Sequence, residues 1–180
     1  MTLNVSLLAN KNGSENIVGY TPLAGQVHGS AGLNWGYSNG LPKPNDAYLK
    51  ISKSYLVTNP NLFPRKASEN NLPIDAIWDD GTRMKMLLEG NQTYNDQIYP
   101  KQIGSFNNKS QLGIYLRTRI GKKLGIDFVI PDISKSEFVS KATQFKDKLI
   151  TLDILNRYGR TDIKIKKLED GTYYFDFSTN

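Results

Sequence analysis

Residues 16–42 run for 27 positions without a single Asp, Glu, Lys or Arg, and glycines fall inside the run at 19, 25, 29, 32, 36 and 40. Glycine loses more backbone entropy on ordering than any other residue and offers no side chain to pack, so so many glycines forbid a long helix or an unbroken strand here. Any fold for this chain must build its regular elements elsewhere and carry these residues as a surface excursion. Disordered segments are usually highly charged. This run instead holds Gln26, His28, Ser30, Asn34, Trp35, Tyr37, Ser38 and Asn39, which are amides, hydroxyls and rings able to read hydrogen-bonding edges and to stack. Long loops inside compact domains are disproportionately functional, so the run reads as a recognition arm; its bland alternative is a solvated loop.

A length of 180 residues suits one domain, residues 1–180, with a core large enough to need no staples. No apolar run approaches the length of a membrane span, and the N-terminus has no basic region followed by an apolar stretch. A cytoplasmic location is the expectation. With no cysteine, disulfides, thiol nucleophiles and thiolate metal sites are excluded. The single histidine, His28, excludes a phospholipase-D-type nuclease site, which needs two His-x-Lys motifs, and leaves a hydrogen bond to a base or phosphate as its functional use.

The formal charge is +6, and its location matters more than its size. Between residues 97 and 126 lie Lys101, Lys109, Arg117, Arg119, Lys122 and Lys123 with no acid, while the other 17 basic residues balance all 17 acidic ones. A basic stretch beside polar arms is the electrostatic footprint of nucleic-acid binding, although a solvated helix face has the same composition.

Strand patterns occur at 4–9, 47–52 and 74–78, the last joined by DDG to 82–88 as a hairpin. Prolines at 42, 44, 60, 64 and 73 disfavour helix between them. Residues 90–109 form a second amide-rich stretch, a hairpin or loop with a return limb at 99–105. Asn107 or Asn108 caps a helix through about Ile120, with Gly121 as its stop. FVIP at 128–131 is strand-like, and the polar stretch that follows carries no clear pattern. Thr151 caps a second short helix stopped by Gly159, and 162–168 with 172–178 close a last hairpin across EDG. Two short helices against seven or eight strands, without a strand-helix-strand rhythm, predict a mainly β protein built as a barrel or pseudobarrel.

The blocks GLNWG at 32–36, PNDAYLKI at 44–51, LFPRK at 62–66, WDDG at 78–81, LGIYLRTRIG at 112–121 and LNRYGRTDIKIKKLEDGTYYFDFS at 155–178 occur in this order. Together they resemble the C-terminal B3-like DNA-recognition domain of type II restriction endonucleases of the NgoFVII and BfiI kind. The resemblance implies a seven-stranded open pseudobarrel with two arms that enter the DNA major groove, here at about 25–45 and 89–108. It also implies a separate N-terminal nuclease domain in the parent protein, double-stranded DNA as partner, a bacterial host, and no metal or cofactor for this domain. Two departures stand out. Tyr37 and Ser38 occupy positions where relatives often carry Gln-Arg, and residues 131–148 look like an insertion of no assigned role.

Asn and Gln pair bidentately with adenine, and Arg and Lys with guanine. Base readout is therefore expected from Gln26, His28, Ser30, Asn34, Tyr37, Ser38 and Asn39 in the first arm, and from Asn91, Gln92, Asn95, Gln97, Tyr99, Gln102 and Asn107 in the second. Lys43, Arg83, Lys101, Lys109, Arg117, Arg119 and the amides at the helix start near Asn108 are expected on phosphates. Trp35, between two glycines, is expected to anchor the first arm. A competing pattern, Pro131-Asp132 with Asp162-Ile163-Lys164, fits the short layout of a metal-dependent PD-(D/E)xK nuclease, with Asp162 and Lys164 on one strand face. A carbohydrate-binding or protein-binding barrel is a third class, which leaves the basic stretch without a purpose.

Overall fold

Strand-forming runs from the start, the middle and the end of the chain meet in one sheet. The computed structural model describes residues 1–68 and 70–179, and the chain divides into two units. One consists of Met1–Ser6, Leu49–Asn107 and Asp162–Ser178, and the other is built from the intervening Leu7–Tyr48 and Asn108–Thr161.

The first unit holds β1 (Thr2–Ser6), β2 (Leu49–Lys50), β3 (Leu72–Trp78), β4 (Arg83–Glu89), β5 (Gln92–Tyr94), β6 (Gln97–Tyr99), β7 (Gln102–Ser105), β8 (Asp162–Lys167) and β9 (Tyr173–Asp176). Seven of them form a sheet in the order β1-β8-β9-β3-β4-β7-β2, and β5 and β6 pair separately. Every neighbouring pair is antiparallel except β3 with β9. The edge strands β1 and β2 approach one another, so the sheet curls into an open pseudobarrel. This is the β-rich architecture that the strand spacing and the resemblance predict.

Alternation explains the register. Leu3 and Val5, Ile163 and Ile165, Tyr173 and Phe175, Ala76 and Trp78, and Met84, Met86 and Leu88 are buried, while of the residues between them Asn4, Lys164 and Lys85 are exposed and Ile77, Leu87 and Tyr174 are half-buried. Burying one large apolar side chain contributes roughly 1.5–3 kcal/mol, and a slip of one residue would turn the whole set outward. The turns 79–82 and 169–172 use the same chemistry. Gly81 and Gly171 sit at φ +86 and +88, and Asp80 and Asp170 accept from the amides of Thr82 and Thr172 at 2.9 and 2.8 Å.

The strands at the start of the sequence are shorter than their patterns suggest, and β2 keeps only two residues. A helix expected to be absent also forms. α1 (Lys53–Thr58) fits because its last turn finishes before Pro60, whose ring restricts only the residues leading into it.

The second unit contains a 3-10 helix at Gly32–Tyr37, α2 (Lys109–Leu124), α3 (Lys135–Ser140), a second 3-10 helix at Ala142–Lys148 and α4 (Leu152–Tyr158). α2 buries Leu112, Leu116 and Ile120 on one stripe, with Gly113, Arg117 and Gly121 beside them. It runs past Gly121. A Cβ at Gly121 would lie 2.3 Å from the Ile126 carbonyl oxygen, so glycine is needed there for a close approach rather than a stop. Gly125 ends the helix instead, at φ 68, and Ile126 N–H returns to Gly121 O in a left-handed cap. α4 begins with the Thr151 side chain accepting from Ile154 N–H and ends at Gly159 with φ 107, as its sequence predicts. The strand expected at 128–131 does not form. Ile130 bonds through both its N–H and its carbonyl to the side chain of Asn45, which satisfies the backbone without a ladder. Among the described residues no helix is long and apolar enough to cross a membrane.

Candidate nucleic-acid interface

The uncharged run folds around its GLNWG block. Gly32 stands at φ 57, and a Cβ at Gly36 would fall 1.9 Å from the Pro44 carbonyl oxygen, so the outgoing and returning limbs of the arm touch backbone to backbone. Gly36 N–H donates to Asp46 O at 3.2 Å and Tyr48 N–H to Gly32 O at 3.3 Å. Trp35, half-buried, meets Tyr48 edge-on, with ring centroids 5.1 Å apart.

Asn34 is fully buried. Its Nδ2 donates to His28 O at 3.0 Å and Ile150 O at 2.7 Å, and its Oδ1 accepts from Ile150 N–H at 3.1 Å and Arg117 Nη2 at 3.0 Å. Arg117, only 1% exposed, also donates to Phe128 O at 3.1 Å, Lys148 O at 2.5 Å and Leu33 O at 3.4 Å. Burial pulls its guanidinium pKa down. Tyr37 is likewise buried; its hydroxyl donates to Phe145 O at 2.7 Å, and burial pushes its pKa up to about 12. Asn34, Tyr37 and Arg117 are therefore structural, not DNA-facing as their residue types imply. A glycine-rich loop leaves backbone carbonyls inside the protein, and buried carbonyls need donors.

Beyond Tyr37 the arm emerges. Ser38 is half-buried, Asn39 and Lys43 are exposed, and Leu41 is 97% exposed. Leu41 escapes a reading that looks for polar groups. Its only sequence signal is an apolar residue with no periodic partner between a glycine and a proline. Gln26, His28 and Ser30 are half-buried. The Gln26 carboxamide oxygen accepts from Leu23 N–H and Tyr20 Oη, and His28 Nδ1 accepts from Ser30 N–H at 3.2 Å.

The start of α2 also differs from expectation. Asn108 Oδ1 accepts from Ser110 N–H at 2.9 Å, and the Asp46 carboxylate accepts from Ser110 Oγ at 2.6 Å. The positive end of the helix thus already faces an internal anion, which repels a phosphate. The Lys109 ammonium is shut off from solvent, so it too is corrected from phosphate contact to interior group. Arg119 is half-exposed and donates to Tyr115 Oη at 2.9 Å, while Lys122 is exposed.

In the first unit, the second amide-rich stretch is the β5–β6 hairpin. Its tip residues Asn95 and Asp96 stand at φ 48 and 56, the mirror-image turn that matches the twist of a two-residue hairpin. Gln92 points back rather than out, donating to Ile51 O and Pro100 O at 2.8 Å each. Tyr99 is 5% exposed. Both are corrected from base contacts to supports. Asn91 is exposed, with its Oδ1 accepting from the buried Lys66 ammonium at 2.6 Å. Thr93, Asn95, Asp96 and Gln97 are exposed along the hairpin. Lys101 and Asn107 are exposed, Gln102 is half-buried, and Arg83 and Lys85 face outward from β4, with the Lys85 ammonium 4.9 Å from the Phe106 ring centre.

For the nuclease pattern, Asp162 and Lys164 share the outward face of β8 as alternation requires, while Asp132 lies on an exposed bend of the second unit. Among the described residues no group of three His, Asp or Glu side chains is placed to hold a metal ion, and nothing favours this pattern.

A curled β sheet that carries an exposed hairpin rich in hydrogen-bonding side chains, together with surface lysines, is the equipment of a DNA-binding domain. The family model of the NgoFVII C-terminal B3-like DNA-binding domain matches residues 2–137, and the chain belongs to that family. Among curated proteins, none matches the chain.

Proposed function

We propose that this chain is the sequence-specific target-recognition domain of a type II restriction endonuclease of bacterial cytoplasm, in which a separate N-terminal nuclease domain cuts. Membership of a B3-like DNA-binding family is the observation that carries this reading. It is a single, non-catalytic module over residues 1–180 that uses neither metal nor cofactor. Base edges in the major groove are read by the exposed tip of the first arm, Ser38, Asn39 and Leu41, and by Asn95 and Gln97 of the β5–β6 hairpin. Leu41 suits a thymine methyl group and the amides suit adenine. Lys43, Lys101, Arg83, Asn107, Arg119 and Lys122 serve the phosphates, with half-buried Gln26, His28, Ser30 and Gln102 in supporting contacts.

Selection from random duplexes tests the reading: a single consensus is expected, and recovery of unrelated sequences would reject sequence-specific recognition. With Lys109 and Arg117 removed from the phosphate set, about four to five neutralised phosphates give an affinity that falls with salt at a logarithmic slope of about −4 to −5. Plasmid incubated with the chain and Mg²⁺ is expected to be bound and left intact.

A further inference from the structure

Residues 131–148 have no role in the sequence reading, and the family match ends at residue 137. The structure gives them an occupation inside the second unit. α3 opens on its own cap, with Ser134 Oγ accepting from Glu137 N–H at 3.1 Å, and its first residue reaches the arm. The Lys135 ammonium donates to Gly36 O at 2.5 Å and Ser38 O at 2.7 Å, the two carbonyls flanking Tyr37 where the arm leaves the body. The Tyr37 ring meets Phe138 edge-on at 5.1 Å, and Phe138 packs on Phe145 at 5.3 Å. Phe138, Ala142, Phe145 and Leu149 form one buried cluster with Tyr37, Val18 and Ile130. All four lie beyond the matched residues. The Tyr37 hydroxyl on Phe145 O closes the same contact with a hydrogen bond.

An arm of this composition has little regular structure to hold it, so its pose depends on whatever satisfies its carbonyls and covers its ring. A lysine whose charge is spent on two carbonyls of another segment, and an aromatic cluster gathered around that segment's one buried tyrosine, are parts of a support. We propose that residues 133–149 form a buttress that sets the pose of the first arm, with Lys135 as its positioning residue, and that discrimination between cognate and random DNA depends on that pose. The proposal rests on the DNA-reading function above.

Lys135→Met keeps the side-chain stem and removes the donor. Hydrogen exchange of the amides of residues 36–41 is expected to accelerate while the β3–β4 ladder stays protected. Loss of the two charge-assisted bonds is expected to lower cognate affinity about tenfold to a hundredfold, with random-duplex affinity held within about twofold because phosphate contacts are untouched. Lys135→Arg, which restores donors, is expected to recover both readouts. Arm amides that exchange as in the parent, or a loosened arm with an unchanged ratio of cognate to random affinity, would overturn the buttress. Should Lys135→Met also expose the ladder, Tyr37→Phe, which deletes only the hydroxyl to Phe145 O, decides by the same two readouts. A parent chain that prefers no duplex sinks the recognition function and the discrimination half of this proposal, while exchange at 36–41 still decides whether the segment holds the arm.

Discussion

The two amide-rich regions are held in place by opposite means. The β5–β6 hairpin is shaped by its neighbours in sequence, with a ladder from Gln92↔Tyr99 to Tyr94↔Gln97, a tip in the left-handed region and a base pinned by Gln92 to Pro100, and its longer bonds, Gln92 to Ile51 O and Lys66 N–H to Ile98 O, reach back no more than 41 residues. The first arm has no ladder. It hangs on Asn34 bonded to Ile150, 116 residues away, on Arg117 bonded to Leu33 O across 84, and on Tyr37 bonded to Phe145 across 108. Local pairing gives a hairpin one pose at modest cost, whereas a glycine-rich arm is only as well placed as the distant segments that grip it.

Arg117→Met breaks the comparison hardest. It deprives four oxygens of a buried cation's N–H groups, and unfolding in urea is expected to show a loss of about 3–5 kcal/mol. Gln92→Ala, which removes two neutral bonds from the hairpin, is expected to cost only about 1–2 kcal/mol. Equal losses would mean that the two regions are held alike. The tips come next. Asn39→Ala, Asn95→Ala and Gln97→Ala are each expected to cost about 1–3 kcal/mol on the cognate site wherever the amide meets a base, with random-duplex binding unchanged. Cognate binding at the parent level in all three folded variants would refute readout by the tips.

Alkaline pH sharpens the contrast further. Tyr37 in the arm unit and Tyr173 in the sheet are both pushed up to about 12 by burial. Above pH 10 the unfolded chain sheds these phenolic protons while the folded chain keeps them. Stability therefore falls as pH rises from 10 toward 12 and levels off beyond, with Tyr37 contributing about 2 kcal/mol of the loss. Phenolate absorbance is expected to retain late-titrating tyrosines, and Tyr37→Phe to remove one of them. The smallest effect concerns the hairpin tip. Asp96→Gly relieves a non-glycine residue at φ 56 and is expected to raise stability by about 0.4–1 kcal/mol, read as a higher melting temperature.

Legibility from the sequence follows the same division. The DDG and EDG hairpins, the Thr151 and Gly159 ends of α4 and the capping by Asn108 are written in adjacent residues, so pattern and turn chemistry suffice to find them. Lys101, Asn39 and Gln97 lie on the surface, where their residue types suggest. Asn34, Tyr37, Gln92, Tyr99, Lys109 and Arg117 do not. Each is spent on the interior, on partners that no local pattern identifies or in packing that excludes water, and a polar residue in a loop looks the same whether it faces water or an orphaned carbonyl. Gly121 shows the same limit, since the backbone of Ile126 that requires it lies in an irregular segment with no period of its own.

The order β1-β8-β9-β3 has a consequence for the chain in time. The C-terminal hairpin is inserted between two strands made much earlier, so β1 and the free side of β3 wait through most of synthesis for partners. Closing such distant pairs makes folding slow, and unpaired edges in the meantime invite association with other chains. Until residues 162–176 emerge, the nascent domain is an unfinished sheet, and a product truncated before them keeps two open edges permanently.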